Sequence, residues 1–229
     1  MAEIISYVQP SRLYRYRSFE NLDRELQAIR EGYLHCSPYQ QLNDPMEGLF
    51  ASGQLLRKDK KYREIREAIT NTKANIGVCS FSEVYDHELM WAHYAGQFKG
   101  ICVAYSLSRL MKNLGDDLTF VRMFYNEKVP TIDHSRRHPE LLAKRVLSTK
   151  NYRWLYEREW RMFAAPGRAS YTDPSCVTHV YLGSRMDPGS RDIVRRVIQP
   201  LGIKLSDMTI NKYSISFRSK PQAQAAEHT

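Results

Sequence analysis

No stretch of this 229-residue chain approaches the apolar length needed to cross a bilayer, which argues against a helical membrane span. The opening residues, Met1-Ala2-Glu3-Ile4-Ile5, lack the basic-then-apolar pattern of a secretory signal, so the chain is expected to stay in the cytoplasm. Glycine-rich phosphate loops of the Rossmann or Walker kind are also missing, which disfavours ordinary hydride-transfer and kinase scaffolds. The four cysteines, Cys36, Cys79, Cys102 and Cys176, never fall at the two-residue spacing of a zinc site and read as reduced core thiols. There are no internal repeats. Negative charge is in short supply: 25 acids against 34 lysines and arginines leave a formal charge of +9. That balance favours an anionic partner, either a phosphate-bearing small molecule or nucleic acid, without choosing between them.

What the chain has in quantity is aromatic surface, including 15 tyrosines, groups that stack and hydrogen-bond at once. Its length suits one domain with a sizeable core. Residues 1–219 are expected to form a single globular domain and residues 220–229 a disordered polar tail.

Periodicity predicts a strand over Leu13 to Phe19, a helix over Glu20 to Arg30 stopped by Gly32, and a strand from Tyr33 to Cys36. Asn43-Asp44-Pro45 signals a turn. A charged helix over Arg57 to Ala74 precedes a buried strand from Gly77 to Ser82; Asp86 then caps a helix through Tyr94, followed by a strand from Ile101 to Tyr105. Phe120 to Tyr125 reads as a strand, Leu141 to Lys150 as a helix, Glu157 to Ala164 as a strand and Val177 to Leu182 as another. Asp187-Pro188 opens a helix, and Tyr213, Ile215 and Phe217 alternate in a last strand. Strands outnumber long helices. The expected class is α+β, with a mixed, mostly antiparallel sheet and flanking helices.

Tyr156-Glu157-Arg158-Glu159-Trp160-Arg161 is the most informative segment. On a strand, Glu157 and Glu159 share one face while Tyr156, Arg158 and Trp160 take the other. Adjacent carboxylates disfavour joint ionisation, which suits a general base or a clamp on ribose hydroxyls. The hexapeptide fits equally a solvated face on which Arg158 and Arg161 pair with the acids. Two further polar groups fall at strand ends, Tyr14-Arg15-Tyr16-Arg17-Ser18 and Ser80-Phe81-Ser82. Arginine forks hold pyrophosphate, serines brace ribose, and a glutamate stabilises a cationic sugar transition state, so the three groups together complement a dinucleotide. His93, among aromatics on a helix, can serve as a base or as a nucleobase neighbour, and is equally a hydrogen-bonded semi-core residue. Asp44 and its neighbour Asn43 are accounted for by a capping turn; Glu47 is not. Arg136-Arg137-His138 and Lys144-Arg145 form a basic stretch, read as solvated surface.

Over nearly its full length the chain resembles the bacterial family of unknown function DUF2971. The matching pieces are Leu13-Tyr14-Arg15-Tyr16-Arg17, Asn43-Asp44-Pro45-Met46-Glu47, Cys79-Ser80-Phe81-Ser82, Met90-Trp91-Ala92-His93-Tyr94-Ala95, Lys99-Gly100-Ile101-Cys102 and Glu157-Arg158-Glu159-Trp160-Arg161. More distantly, the order of a basic residue on the first strand, a serine strand and a late Glu-x-Glu is similar to the ADP-ribosyltransferase superfamily, including its branch that modifies nucleic acids. That resemblance implies a split-sheet fold with NAD in the cleft as substrate. It makes Glu159 and Glu157 the catalytic pair and Arg15 the dinucleotide anchor. Ser80 and Ser82 stand for its serine strand, and Tyr14, Arg17 and His93 complete the expected cofactor-binding set. Two departures are visible: Phe81 stands where a small residue is expected, and Arg161 can lock Glu159 in an ion pair.

The leading expectation is therefore a transferase that cleaves NAD and passes ADP-ribose to a macromolecule, as in a bacterial toxin or phage-defence setting. The alternatives are a nuclease whose Asp44, Glu47, Glu157 and Glu159 gather a divalent metal, and a non-catalytic module that binds nucleic acid or protein.

Overall fold

Leu13, Tyr14, Arg15 and Tyr16 are buried in succession, which an alternating strand permits only where both of its faces are covered. This first strand is the middle of the sheet. The structure is a computed structural model describing residues 9–115, 118–133 and 138–218; Met1 to Ile5, Arg136, Arg137 and the tail at 220–229 lie outside the described residues.

The elements begin β1 (Arg12–Arg17), α1 (Leu22–Glu31), β2 (Tyr33–Pro38), β3 (Ala51–Ser52), α2 (Gln54–Arg57), α3 (Tyr62–Ala74) and β4 (Gly77–Ser82). There follow α4 (Glu88–Tyr94), β5 (Ile101–Ser106), α5 (Leu107–Asn113), β6 (Thr119–Arg122), β7 (Phe124–Asn126), β8 (Thr131–Ile132), α6 (Pro139–Leu147) and β9 (Thr149–Asn151). The chain continues with β10 (Glu159–Ala164), β11 (Gly167–Ser170), β12 (Val177–Leu182), α7 (Pro188–Ile198), β13 (Lys204–Asn211) and β14 (Ser214–Arg218).

The main sheet runs β11-β2-β4-β1-β5-β12-β13-β14, with β10 also on β4 and β6 on β10. Its pairs are antiparallel except β12 with β13, so the class is a mixed α/β fold on a mostly antiparallel open sheet. The major core lies on the face that carries Leu13, Phe81, Val103, Tyr105 and Met162 and is closed by α1 and α7. A second, aromatic-rich cluster covers the other face around Tyr14, Tyr16, Trp91 and Tyr181.

β4 is where the sheet opens. One edge is filled along its length by β10. On the other edge β2 takes Gly77 and Val78 and β1 takes Ser82, leaving residues 79–81 unpaired on that side. A gap therefore separates β1 from β2.

Local signals explain most boundaries. Gly32 ends α1 with φ +73°, a left-handed cap that only glycine adopts at no steric cost. Asp187 caps α7 by accepting from Ser190 N at 2.9 Å, as the Asp-Pro pair predicts. Elsewhere the expectations need correction. α4 is capped by His87, whose Nδ1 accepts from Leu89 N, and not by Asp86. The charged helix over 57–74 is two helices, because residues 58–61 turn between α2 and α3. The strand read across 120–125 breaks at Met123 into β6 and β7, which join different partners. The helix read as far as Lys150 stops at Leu147, and Lys150 sits on β9.

The most consequential correction concerns the two acids. Tyr152–Glu157 is a 3-10 turn, Arg158 is left-handed (φ 45°, ψ 49°), and the strand starts only at Glu159. Buried Glu83 holds this turn, accepting from Arg158 Nε at 2.9 Å, Arg122 Nε at 3.1 Å and Trp160 Nε1 at 2.8 Å. A non-glycine residue in this conformation needs such tertiary support. Trp160 is buried on the major-core face, as alternation requires.

Candidate functional site

The gap between β1 and β2 opens into a cavity of about 220 Å³. Its lining includes Tyr14, Arg15 and Arg17 from β1, Ser80 and Ser82 from β4, Tyr94 from α4, Lys150 from β9, and Glu157, Glu159 and Arg161. Seven of the eight residues expected at a site thus line one concavity, although Arg15 and Glu159 leave their strands on opposite faces. Arg15 shares the face of Leu13 and lies 5.6 Å over the Phe81 ring. Glu159 lies opposite Ser82 on the other face. Both line the same space because β4 lacks a partner over residues 79–81 on the edge it offers to β1 and β2. The volume is below the roughly 300–1,000 Å³ of most ligand pockets, too small to enclose a whole dinucleotide-sized molecule.

His93 is the exception. It is exposed on α4, near Tyr94 and Tyr156, and does not line the cavity. Its neighbour Trp91 is wholly buried and donates from Nε1 to Tyr85 O at 2.7 Å, a packing role.

One wall of the cavity is a buried charge cluster. The Lys150 ammonium lies 2.5 Å from Glu157, 3.1 Å from Glu159 and 3.4 Å from Glu47. Arg161 reaches Glu159 through Nε at 2.7 Å, pairs with Glu47 through Nη2, and donates from Nη1 to Leu147 O at 2.7 Å. Three carboxylates share two cations, a formal surplus of one negative charge. Such a network is tolerable only because almost every charge has a partner.

The two glutamates diverge within it. Glu159 is fully buried, which alone would raise its pKa; the Arg161 and Lys150 charges and a Ser80 hydroxyl outweigh burial and hold it down at about 2. Glu157 is raised above the ordinary carboxylate value, chiefly by burial and further by Glu159, with Lys150 opposing. The Tyr94 hydroxyl donates to Glu157. Glu159 is thus a committed ion-pair partner, and Glu157 is the acid with the more adjustable charge.

The serines differ as well. Ser82 donates from Oγ to Glu157 O at 2.7 Å and accepts from Val84 N at 3.1 Å, so it fixes the turn that aims Glu157. Ser80 is half-buried beside Glu159. On the opposite wall, Arg17 is tied to Glu25 at 2.8 Å, whereas the buried Nε of Arg15 has no hydrogen-bond partner among the described residues. That Nε is a buried, unsatisfied donor in a guanidinium only 4% exposed.

The acids do not assemble as metal ligands. Asp44 is spent on its own turn, accepting from Met46 N at 2.9 Å, and Lys150 occupies the centre of the other three. Among the described residues no group of three or more His, Cys, Asp or Glu side chains is arranged to hold a metal ion. Lys150, Tyr94 and the role of Glu47 escaped the sequence reading. Lys150 looked like the end of a helix, and only the short strand after α6 turns it inward.

Residues 90–162 match the family described as a protein of unknown function, DUF2971. This supports the family resemblance over less than half of the chain. The matched span holds Tyr94, Lys150, Glu157, Glu159 and Arg161, but not Arg15 or Ser80. No curated protein and no solved structure matches the chain. Among the described residues no helix is long and apolar enough to cross a membrane.

Proposed function

We propose that the chain is an ADP-ribosyltransferase-like enzyme that takes NAD into the cleft and transfers ADP-ribose to a macromolecule. The observation that carries this reading is the convergence of Arg15, Ser80, Ser82, Glu157 and Glu159, from three adjacent strands and the turn before β10, on a cavity at a gap in the sheet. The resemblance implies a split sheet, and the gap between β1 and β2 supports the reading.

Arg15 is assigned the cationic contact to a phosphate. The acid wall, with its surplus negative charge, faces the reacting sugar, where it favours the cationic character that develops as the nicotinamide bond breaks. Glu157 is assigned the electrostatic and acceptor-deprotonating role. Glu159, Lys150, Arg161 and Glu47 hold it in place. This inverts the assignment expected from the motif order, because the Arg161 pair neutralises Glu159. A cavity that encloses only one end of the ligand suits the nicotinamide riboside portion, with the adenosine end lying outside.

Incubation with labelled NAD, with and without single-stranded nucleic acid or protein acceptors, tests the reading. Turnover that persists in wild type and disappears in Glu157→Gln supports it; no turnover and no NAD binding in wild type removes it.

A further inference from the structure

A second feature lies on the same sheet face, outside the cleft. His179 and Tyr181 on β12 stack with ring centroids 4.1 Å apart and planes 6° from parallel. Tyr181 stacks in turn on Tyr85 at 4.7 Å. Tyr14 packs 5.1 Å from Tyr85 and also lines the cleft, so the rings run from the cavity across the sheet to His179. The register explains the row: Tyr14 and His179 both lie opposite Ala104 on β5, whose methyl leaves room between them. His179 is half-buried at the end of the stack, and its Nε2 is fixed by Ser206 Oγ at 2.8 Å.

Two exposed cations flank that end ring. Lys204 sits beside His179 in the β12/β13 register, and Arg12 precedes Tyr14 on β1. Both act electrostatically on His179, and with burial they hold its pKa down at about 4, so the ring is neutral near pH 7 and attracts by stacking. Arg12 hydrogen-bonds Tyr14. Neither cation has a carboxylate within ion-pair distance among the described residues, in contrast to Arg191 and Arg195, which share Asp207.

We infer that this end of the ring stack is a seat for single-stranded nucleic acid, with a base stacked on His179 and its phosphates on Arg12 and Lys204. A ring of fixed orientation between two cations that have no carboxylate partner among the described residues suits such strands without reading their sequence. The chain's +9 charge adds long-range attraction for the same partner. An acidic protein would satisfy the cations but leave the ring unused. The inference stands apart from the NAD chemistry, because it concerns binding in the absence of NAD.

The test is fluorescence anisotropy of labelled 12-nucleotide RNA and DNA with the full chain, no NAD present, at several salt concentrations. The Arg12→Ala/Lys204→Ala protein, altered only at exposed side chains, is expected to bind about tenfold or more weakly with a shallower salt dependence, since two phosphate contacts are lost. His179→Ala should lose on the order of tenfold, and His179→Phe, which keeps the ring, should recover most of it. Absence of wild-type binding, equal binding by all variants, or equal affinity of a polyglutamate competitor for the same face would each overturn the inference.

Discussion

Lys150 on β9 donates to Glu157, seven residues later, at 2.5 Å, with both side chains buried. The 3-10 turn between them brings the carboxylate back to the ammonium. Removing that ammonium leaves Arg161 alone against three carboxylates. Lys150→Met is expected to lower stability by about 3–5 kcal/mol, the usual cost of stranding a buried charge, measured by urea denaturation. A change below about 1 kcal/mol would mean that the carboxylates can protonate or be solvated without disturbing the fold.

The two glutamates should separate stability from turnover. Glu159→Gln breaks a buried pair with Arg161 and should markedly lower the melting temperature. Glu157→Gln keeps the volume and removes the charge assigned to the reacting sugar, so it should leave melting nearly unchanged while reducing NAD turnover by about a hundredfold. Both are read from thermal melts and NAD consumption on one preparation. Equal melting effects would contradict the division of roles.

Acid titration gives the same contrast. Glu159 is held at about 2 in the folded chain against 4.5 ordinarily, so its contribution to stability is present above about pH 4.5 and is lost as pH falls towards 2. Glu157 is shifted upwards, and its protonation favours the folded state as pH falls through its raised value. Melting temperature against pH should therefore fall less steeply between about pH 4.5 and 2 in Glu159→Gln than in wild type. Parallel curves would count against the Glu159 assignment.

Gly100 is a steric requirement. A Cβ there would lie 1.9 Å from Arg17 O and 3.0 Å from Ala95 O, both backbone atoms. Gly100→Ala should destabilise by about 3 kcal/mol or more, beyond the ordinary cost of overpacking, because β1 and the 95–100 turn would have to separate. The denaturation midpoint measures it; a wild-type midpoint would show that the turn shifts freely.

Much of the fold was legible because local chemistry and burial agreed. Gly32, Asp187-Pro188, the turn at Asp44 and the two-sided apolar run of β5 all carry signals that tertiary packing reinforces. Four buried free thiols match the expectation from cysteine spacing. The site was legible as a set of residues but not as a geometry. Pattern reading made Glu157 and Glu159 neighbours on one strand. They meet instead across a turn held by Glu83, which lies some 75 residues earlier in the chain. Lys150 could not be found from periodicity, since three residues of β9 are too few to carry a period. His93 was drawn into the site by its aromatic neighbours, yet the helix turns it to the surface.

The most direct test of the central claim is the release of nicotinamide from NAD, followed by mass spectrometry for wild type, Glu157→Gln and Arg15→Ala in parallel with an acceptor present. The account predicts release by wild type, loss of at least a hundredfold in Glu157→Gln, and a weakened apparent affinity for NAD in Arg15→Ala. Wild-type protein that neither binds NAD nor releases nicotinamide, while remaining folded, would contradict it.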